Sequence, residues 1–123
     1  SGSGSHAEGF YTTASGNGSH AEGFYTVATE TYQHVEGLYN IVDTSGNLIH
    51  IIGNGGGPGS RSNAFTVDVN GKIACSTLSV FGLNTAPASA TDTGTLGEIR
   101  ITSGYVYVCV GTNTWVRSAL TIL

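Results

Sequence analysis

A small apolar residue, alanine or valine, recurs at every seventh position over the first third of the chain. The positions are Ala7, Ala14, Ala21, Ala28, Val35 and Val42. A larger unit, SHAEGFYTTASGNG, begins again as SHAEGFYTVATETY after fourteen residues. Repetition at a fixed period is typical of proteins that stack one short structural unit, so that each copy buries its apolar face against the next. The pattern therefore predicts a repeat array.

The composition of the repeat favours β-structure over a coiled coil. Each heptad has one small apolar position, whereas a coiled coil needs two large ones. Glycine recurs at Gly9, Gly16, Gly23 and Gly37, and each glycine costs a helix about 1 kcal/mol relative to alanine. Short strands joined by turns that need glycine's positive φ explain the same spacing. We predict a parallel β-roll, or β-helix, over residues 1–47, with two strands in each coil and the alanines facing inward.

Residues 48–83 are predicted to form a β-hairpin transition segment. The apolar run LIHII indicates a strand, and a glycine-rich loop, GNGGGPGS, follows it. Apolar residues then alternate over residues 64–69, and Asn70-Gly71 is a strong signal for a two-residue type I′ turn. We expect the second strand of the hairpin to follow that turn.

The last part of the chain divides into a linker and a small sheet. Residues 84–97, NTAPASATDTGTLG, are short of large apolar side chains and predict an extended linker or a strip along a neighbour. Residues 98–123 contain three strand-like segments separated by Ser103-Gly104 and by Gly111-Thr112-Asn113. They predict a small antiparallel meander with one aliphatic and one aromatic face. The whole chain is therefore expected to be all-β.

A roll lined by alanine has a thin interior. Burial of one methyl group contributes only about 0.8 kcal/mol, so a single chain of 123 residues built in this way is expected to be marginally stable. Association with identical chains would bury the apolar side chains that point outward from the roll. The outward residues are Phe10, Phe24 and Leu38, together with the tyrosines beside them.

Charge and hydropathy limit the partners. The formal net charge is −4, and four Lys and Arg side chains offer no basic patch for phosphates, so we expect no nucleic-acid binding. No apolar run approaches the roughly 20 residues of a membrane-spanning helix, so we expect no membrane insertion.

Three histidines repeat with the fourteen-residue unit. His6, His20 and His34 should form a column on one face, and each has a glutamate two positions later. Such a column could hold a metal ion if three chains brought it to a shared axis. Because histidines that point out of the roll can also pack or hydrogen-bond without an ion, we expect no metal and no cofactor. His50 falls outside the register.

Signals for catalysis are weak. The glycine-rich loop lacks the GK[ST] ending of a P-loop and precedes a strand pattern rather than a helix. Glu36, Asp43 and Asp68 could in principle supply paired carboxylates for glycan hydrolysis, but no spacing distinguishes them from surface acids. We therefore expect a protein that is not an enzyme.

The aromatic residues near the C-terminus are the best candidates for recognition. Their rings and hydrogen-bond donors suit sugar rings and protein hot spots. The receptor-binding candidates are Tyr105, Tyr107, Asn113, Trp115 and Arg117. The alternative is that the tyrosines pack between subunits, while Trp115, which follows a turn, is expected to be partly exposed.

Two stretches of the chain resemble known proteins. The SHAEG…TTASG array followed by HIIGNG…RSNAFTVDVNGKI resembles the distal parts of phage and prophage tail-fibre or minor structural proteins, and TAPASATDTGTLGEIRITSGYVYVCVGTNTWVRSAL resembles a C-terminal tip module of similar tail proteins. The repeat is also similar to the heads of trimeric autotransporter adhesins. The resemblance implies a homotrimeric fibre, with a shaft followed by a tip, in which the tip recognises the host.

The sequence thus predicts a non-enzymatic, trimeric tail-fibre fragment that attaches a phage or phage-like particle to a glycan or protein receptor on the host cell surface. The expected location is the virion, at the distal tail fibre, with a bacterial surface as the alternative. Two other functions stay open. The chain could be only a structural spacer and trimerisation module, or it could be the tip of a polysaccharide depolymerase.

Overall fold

The computed structural model describes residues 1–80 and 82–123, and its regular elements there are all β-strands. The strands are β1 (His6–Phe10), β2 (Thr13–Ala14), β3 (His20–Phe24), β4 (Val27–Ala28), β5 (His34–Leu38), β6 (Leu48–Asn54), β7 (Asn63–Asp68), β8 (Ile73–Cys75), β9 (Ile99–Ile101), β10 (Tyr105–Gly111) and β11 (Thr114–Ala119). They form two compact units, Ser1–Leu78 and Ser79–Leu123. In the described residues, no helix has the length and hydropathy needed to cross a bilayer.

The first unit is a β-solenoid. Strands β1, β3, β5 and β6 stack in parallel as four successive rungs, and the short strands β2 and β4 pair in parallel beside them. In the stack His6 pairs with His20, and His20 pairs with His34, which is the fourteen-residue period. The predicted roll with two strands in each coil is therefore confirmed. The long strand of the second coil has five residues and the short strand has two.

The repeating small residues form the core of the solenoid. Ala21, Ala28, Val35 and Ile51 are 0% exposed, and Ala14 is 4% exposed. Ala7 lies in β1, the edge strand of the described sheet, and is exposed. Val42 is half-buried and lies outside any strand, so the seven-residue ladder ends at Val35.

A second set of inward side chains is polar. Ser19, Thr26, Gln33 and Asn40 are each at most 1% exposed, and each forms hydrogen bonds with the backbone. Ser19 and Thr26 bond only within their own coil, to the carbonyl oxygens of residues 16 and 22. Gln33 and Asn40 are larger, and their side chains form hydrogen bonds with the backbone of other segments, because no further short strand of the described chain pairs with β4.

The third coil has no described short strand to pair with β4, and the side chain of Asn40 forms those hydrogen bonds instead. Its side-chain oxygen accepts a hydrogen bond from the N–H of Val27 at 2.8 Å, and its amide nitrogen donates to the carbonyl oxygen of Val27 at 3.0 Å. The same nitrogen donates to the carbonyl of Ile41. Between the first two coils, strand β4 pairs with β2 in the equivalent way through its backbone. Asn40, which departs from the repeat pattern, thus caps the open edge of the short sheet with its side chain.

The stack continues past residue 47, the predicted limit of the roll. Strand β6 pairs with β5 in register, so that His50 lies opposite His34 and Ile51 opposite Val35. The expectation that His50 is out of register was wrong, because the third coil contains sixteen residues between equivalent histidines instead of fourteen. The turn that follows Asp43 absorbs the difference: Asp43 accepts hydrogen bonds from the N–H groups of Ser45 and Leu48.

The predicted hairpin is present, but its turn differs from the prediction. Strands β7 and β8 are antiparallel, and Gly71 has a φ of 81°. Asn70 does not have the positive φ that a type I′ turn requires at both central positions. Instead, the Asp68 carboxylate accepts hydrogen bonds from the N–H groups of Asn70 and Lys72, which stabilises a longer turn in which Gly71 alone is left-handed.

Tyrosines rather than glycines occupy the left-handed corner after each long strand. Tyr11, Tyr25 and Tyr39 have φ values of 52°, 54° and 38°. Their rings stack at 4.9 Å between successive centroids, which offsets the strain of that conformation. The guanidinium of Arg61 lies 5.7 Å from the last ring of the column and donates to the carbonyl oxygens of Tyr25 and Asn40.

The second unit contains the antiparallel meander that the sequence predicts. Strand β10 lies between β9 and β11. The turn between β10 and β11 places Asn113 at a φ of 53°. The segment over residues 84–97 packs on the meander of its own chain, and the N–H of Gly97 donates to the carbonyl of Cys109.

Candidate functional site

One face of the meander carries nearly all of the predicted recognition residues. Tyr107 of β10 is opposite Arg117 of β11 and opposite Arg100 of β9, and Cys109 is opposite Trp115. Residues directly opposite one another in an antiparallel sheet project from the same face. Register alone therefore brings the aromatic and cationic side chains together.

Segment 84–97 covers part of this face. The indole N–H of Trp115 donates to the carbonyl oxygen of Asp92 at 3.0 Å, and the backbone N–H of Trp115 donates to Ala90. Asn113 and Gly94 exchange two hydrogen bonds, N–H to carbonyl and N–H to side-chain oxygen. A methyl group at Gly94 would overlap the indole ring, so glycine is needed there for the close approach.

Two arginines lie over two aromatic rings. The guanidinium carbon of Arg100 is 4.6 Å from the centre of the Trp115 ring, and that of Arg117 is 4.4 Å from the centre of the Tyr105 ring. Both distances suit cation–π attraction. Arg100 is also paired with Glu98 at 2.7 Å, whereas Arg117 forms no ion pair with any described residue. Arg117 thus has donors free for a ligand.

The carboxylates of this unit have structural partners. The hydrogen bond from Arg100, together with one from the backbone of Thr95, lowers the pKa of Glu98. Backbone N–H groups of Ala88 and Thr93 lower the pKa of Asp92. Both carboxylates are therefore ionised at neutral pH, and their oxygens accept hydrogen bonds from groups of the same unit.

A cleft of about 360 Å³ opens between this face and the covering segment. Its lining residues are Pro87, Ala88, Ser89, Ala90, Tyr107, Trp115, Val116 and Arg117. The volume is near the lower end of the range of roughly 300–1,000 Å³ that is usual for small-molecule sites. The cleft therefore has room for one or two sugar rings or a few amino-acid side chains.

The structure divides the five receptor-binding candidates into two groups. Trp115 is 6% exposed and Tyr107 is 8% exposed, so the expectation that Trp115 is partly exposed was wrong. The reason is the cover that segment 84–97 provides, a tertiary contact within the chain. Tyr105 is half-buried, and Asn113 and Arg117 are exposed. Tyr107 and Trp115 thus form the floor of the cleft, and Arg117 is its accessible charged group.

The histidines form a continuous column on the solenoid, as predicted, with a fourth member. Ring centroids are 5.1 Å apart for His6 and His20, 4.8 Å for His20 and His34, and 4.7 Å for His34 and His50. Glutamates lie beside them at 3.0–3.7 Å between nitrogen and oxygen. The pairs mostly join neighbouring coils: Glu22 reaches the next histidine, His34.

The other candidate groups have structural partners. Glu36 contacts His50 at 3.0 Å, and Asp68 stabilises the hairpin turn. Partial burial raises the pKa of Asp43, but hydrogen bonds from the Ser45 side chain and from backbone N–H groups outweigh it, and the net pKa is lowered. In the glycine-rich loop, the N–H groups of Gly55 and Gly56 donate to carbonyls of the chain itself.

A short part of the chain is similar to a known phage protein. The chain is 56% identical over 34 residues to "Depolymerase 1, capsule K30/K69-specific" of Klebsiella phage K5-2. The match covers 28% of this chain and 4% of that protein. No protein-family profile and no solved structure matches the chain. The short match and the β-solenoid together fit a phage tail-fibre-like protein.

Proposed function

We propose that the chain is a trimeric tail-fibre or tail-tip segment whose C-terminal unit attaches a phage or phage-like particle to the host surface. The observation that carries the proposal is the cleft over Tyr107, Trp115 and Arg117. It combines an aromatic base with an exposed arginine that no acid of the described chain neutralises. The similarity to a phage protein named for capsule specificity supports a surface polysaccharide as the ligand class.

The chemistry of the cleft favours an acidic saccharide. Aromatic rings bind the apolar faces of sugars, and a guanidinium binds a carboxylate through two parallel hydrogen bonds. The guanidinium of Arg117 lies over the ring of Tyr105, and this contact favours one orientation of the side chain at the cleft. Each site would bind weakly, and three copies in one fibre would raise the overall affinity.

Exposed apolar surface supports the homotrimer. In the solenoid, Phe10 is 54% exposed and Leu38 is 48% exposed, next to the stacked ring of Phe24. In the second unit, Ile99, which is paired with Val108 and does not line the cleft, is 60% exposed. Association of identical chains through such surfaces would bury apolar area that one chain leaves in water.

Tryptophan fluorescence tests the proposed binding site directly. Trp115 is the one tryptophan of the sequence and lines the cleft, so ligand binding should change its emission. Titration of the chain with oligosaccharides from the host capsule should give a saturable change. Arg117→Gln should weaken the binding by roughly tenfold, as expected for about 1.4 kcal/mol from a charged contact.

A matched variant controls for charge. Lys72→Gln removes the same charge from an exposed side chain of the other unit and should leave the titration unchanged. If the wild type shows no saturable change with any fraction of the host surface, the attachment proposal is wrong and the spacer and trimerisation function replaces it. If the fibre instead releases new reducing ends from the capsule, the protein is a depolymerase.

A further inference from the structure

The histidine column has a chemistry that attachment does not use. Two groups of three side chains, His6–Glu8–His20 and His20–Glu22–His34, each bring three ligating atoms within 4.8 Å of one another. Each group combines two imidazole nitrogens with one carboxylate oxygen, all from a single chain. Two nitrogens and one oxygen are a frequent ligand set for zinc in proteins.

The distances are close to those that a metal ion requires. Zn²⁺ binds nitrogen and oxygen at about 2.0–2.2 Å, so two ligands of a tetrahedral ion lie about 3.3–3.6 Å apart. The Glu8 carboxylate lies between two histidines: its Oε2 atom is 3.4 Å from the His6 nitrogen, and its Oε1 atom is 3.7 Å from the His20 nitrogen. Glu22 is 3.3 Å from the His34 nitrogen. Small side-chain rotations would therefore complete either site.

His20 is the residue that both groups share. Its Nε2 atom is buried and has no hydrogen-bond partner among the described residues, and its contact of 3.7 Å with Glu8 is too long for a hydrogen bond. A buried polar atom without a partner costs free energy, which a ligand can recover. Since one nitrogen lone pair can bind only one ion, the two groups are alternatives and not two independent sites.

We propose that the solenoid binds one zinc-class transition-metal ion per chain through His20, shared between the two groups. The ion joins neighbouring coils of the solenoid, because His6 with Glu8, His20 with Glu22, and His34 belong to three successive rungs. Nitrogen donors favour Zn²⁺, Ni²⁺ or Cu²⁺ over Mg²⁺ and Ca²⁺, which prefer all-oxygen sites. Binding to the folded state alone should stabilise it.

Calorimetric titration of the untagged chain with Zn²⁺ tests the site, and the shared histidine predicts an unusual pattern among variants. Wild-type protein should bind one ion per chain. His20→Gln should weaken binding by roughly tenfold or more, since loss of a direct ligand should cost at least as much as loss of an outer-shell partner. Glu8→Gln or Glu22→Gln alone should retain binding, because the other group survives. The double variant Glu8→Gln with Glu22→Gln should lose it.

His50→Gln is the matched control, because His50 stacks in the same column but belongs to neither group. It should bind Zn²⁺ as the wild type does, and Mg²⁺ should give no heat with any variant. Circular dichroism in the presence of a chelator shows whether each variant is folded. If His20→Gln fails to fold, the affinity of the double variant Glu8→Gln with Glu22→Gln tests the site in its place. Absence of saturable Zn²⁺ binding, or equal affinity in the wild type and the double variant, would overturn the proposal.

Discussion

Replacing Asn40 with alanine should destabilise the solenoid by more than the burial of a single core methyl group contributes, which is about 0.8 kcal/mol. The Asn40 side chain is 0% exposed and forms three hydrogen bonds, of 2.8, 3.0 and 3.1 Å, with the backbone of Val27 and Ile41. Each bond contributes about 1 kcal/mol net, and a buried group left unpaired costs about 1–3 kcal/mol. We expect a loss of about 3 kcal/mol in the free energy of unfolding.

Urea unfolding followed by far-UV circular dichroism, at one fixed protein concentration, measures this loss. Asn54→Ala is the control, because Asn54 is exposed and its side chain forms no hydrogen bond with the described residues; its effect should be within about 0.5 kcal/mol. Asn40→Thr, which restores the residue of the preceding coil, should still be destabilised, because a threonine hydroxyl cannot pair with both groups of Val27. If Asn40→Ala is as stable as Asn54→Ala, Asn40 is not a cap.

Three further substitutions test other contacts. Gly23→Ala should cost about 3 kcal/mol or more, because Gly23 has a φ of 107° and an added methyl would overlap the Gly37 carbonyl; Gly56→Ala, with open space around it, should be tolerated in the same thermal-melting assay. Gly94→Ala should displace the Trp115 ring and shift its fluorescence to the red, and an unchanged spectrum would refute that contact. Asp43→Asn should lower stability by about 1 kcal/mol at pH 7. Because the folded pKa of Asp43 is lowered, its contribution is fully present above the ordinary value of 3.8 and is lost as the pH falls through the lowered folded pKa, so the unfolding free energies of wild type and variant should approach each other as the pH is lowered below 3.8.

The repeat made the solenoid predictable, since small residues at a fixed spacing leave few ways to stack. Ala21 and Ala28 are buried as the spacing requires. His50 was missed because the third coil is longer, and periodicity cannot show how a turn absorbs extra residues. One signal was available: the run His-Ile-Ile-Gly at residues 50–53 matches the pattern His-Val-Glu-Gly at residues 34–37.

The candidate site was less predictable than the fold. Alternation along β10 correctly placed Tyr105 and Tyr107 on one face. Whether that face is open depends on segment 84–97, whose contacts with Trp115 are made by backbone carbonyl groups that any sequence carries. Burial of Trp115 therefore had no local signal. The role of Arg61 as a cap over the tyrosine column was equally hidden, because its partners are distant along the chain.

Competition for adsorption tests the central claim, that this chain attaches a particle to its host, most directly. Purified wild-type protein should reduce phage adsorption to host cells in a dose-dependent manner, and Lys72→Gln should do so equally well. Arg117→Gln should assemble as the wild type does but should need at least about tenfold more protein for the same reduction. If the wild type does not compete at any concentration, or if Arg117→Gln competes as well as the wild type, attachment through the cleft is contradicted.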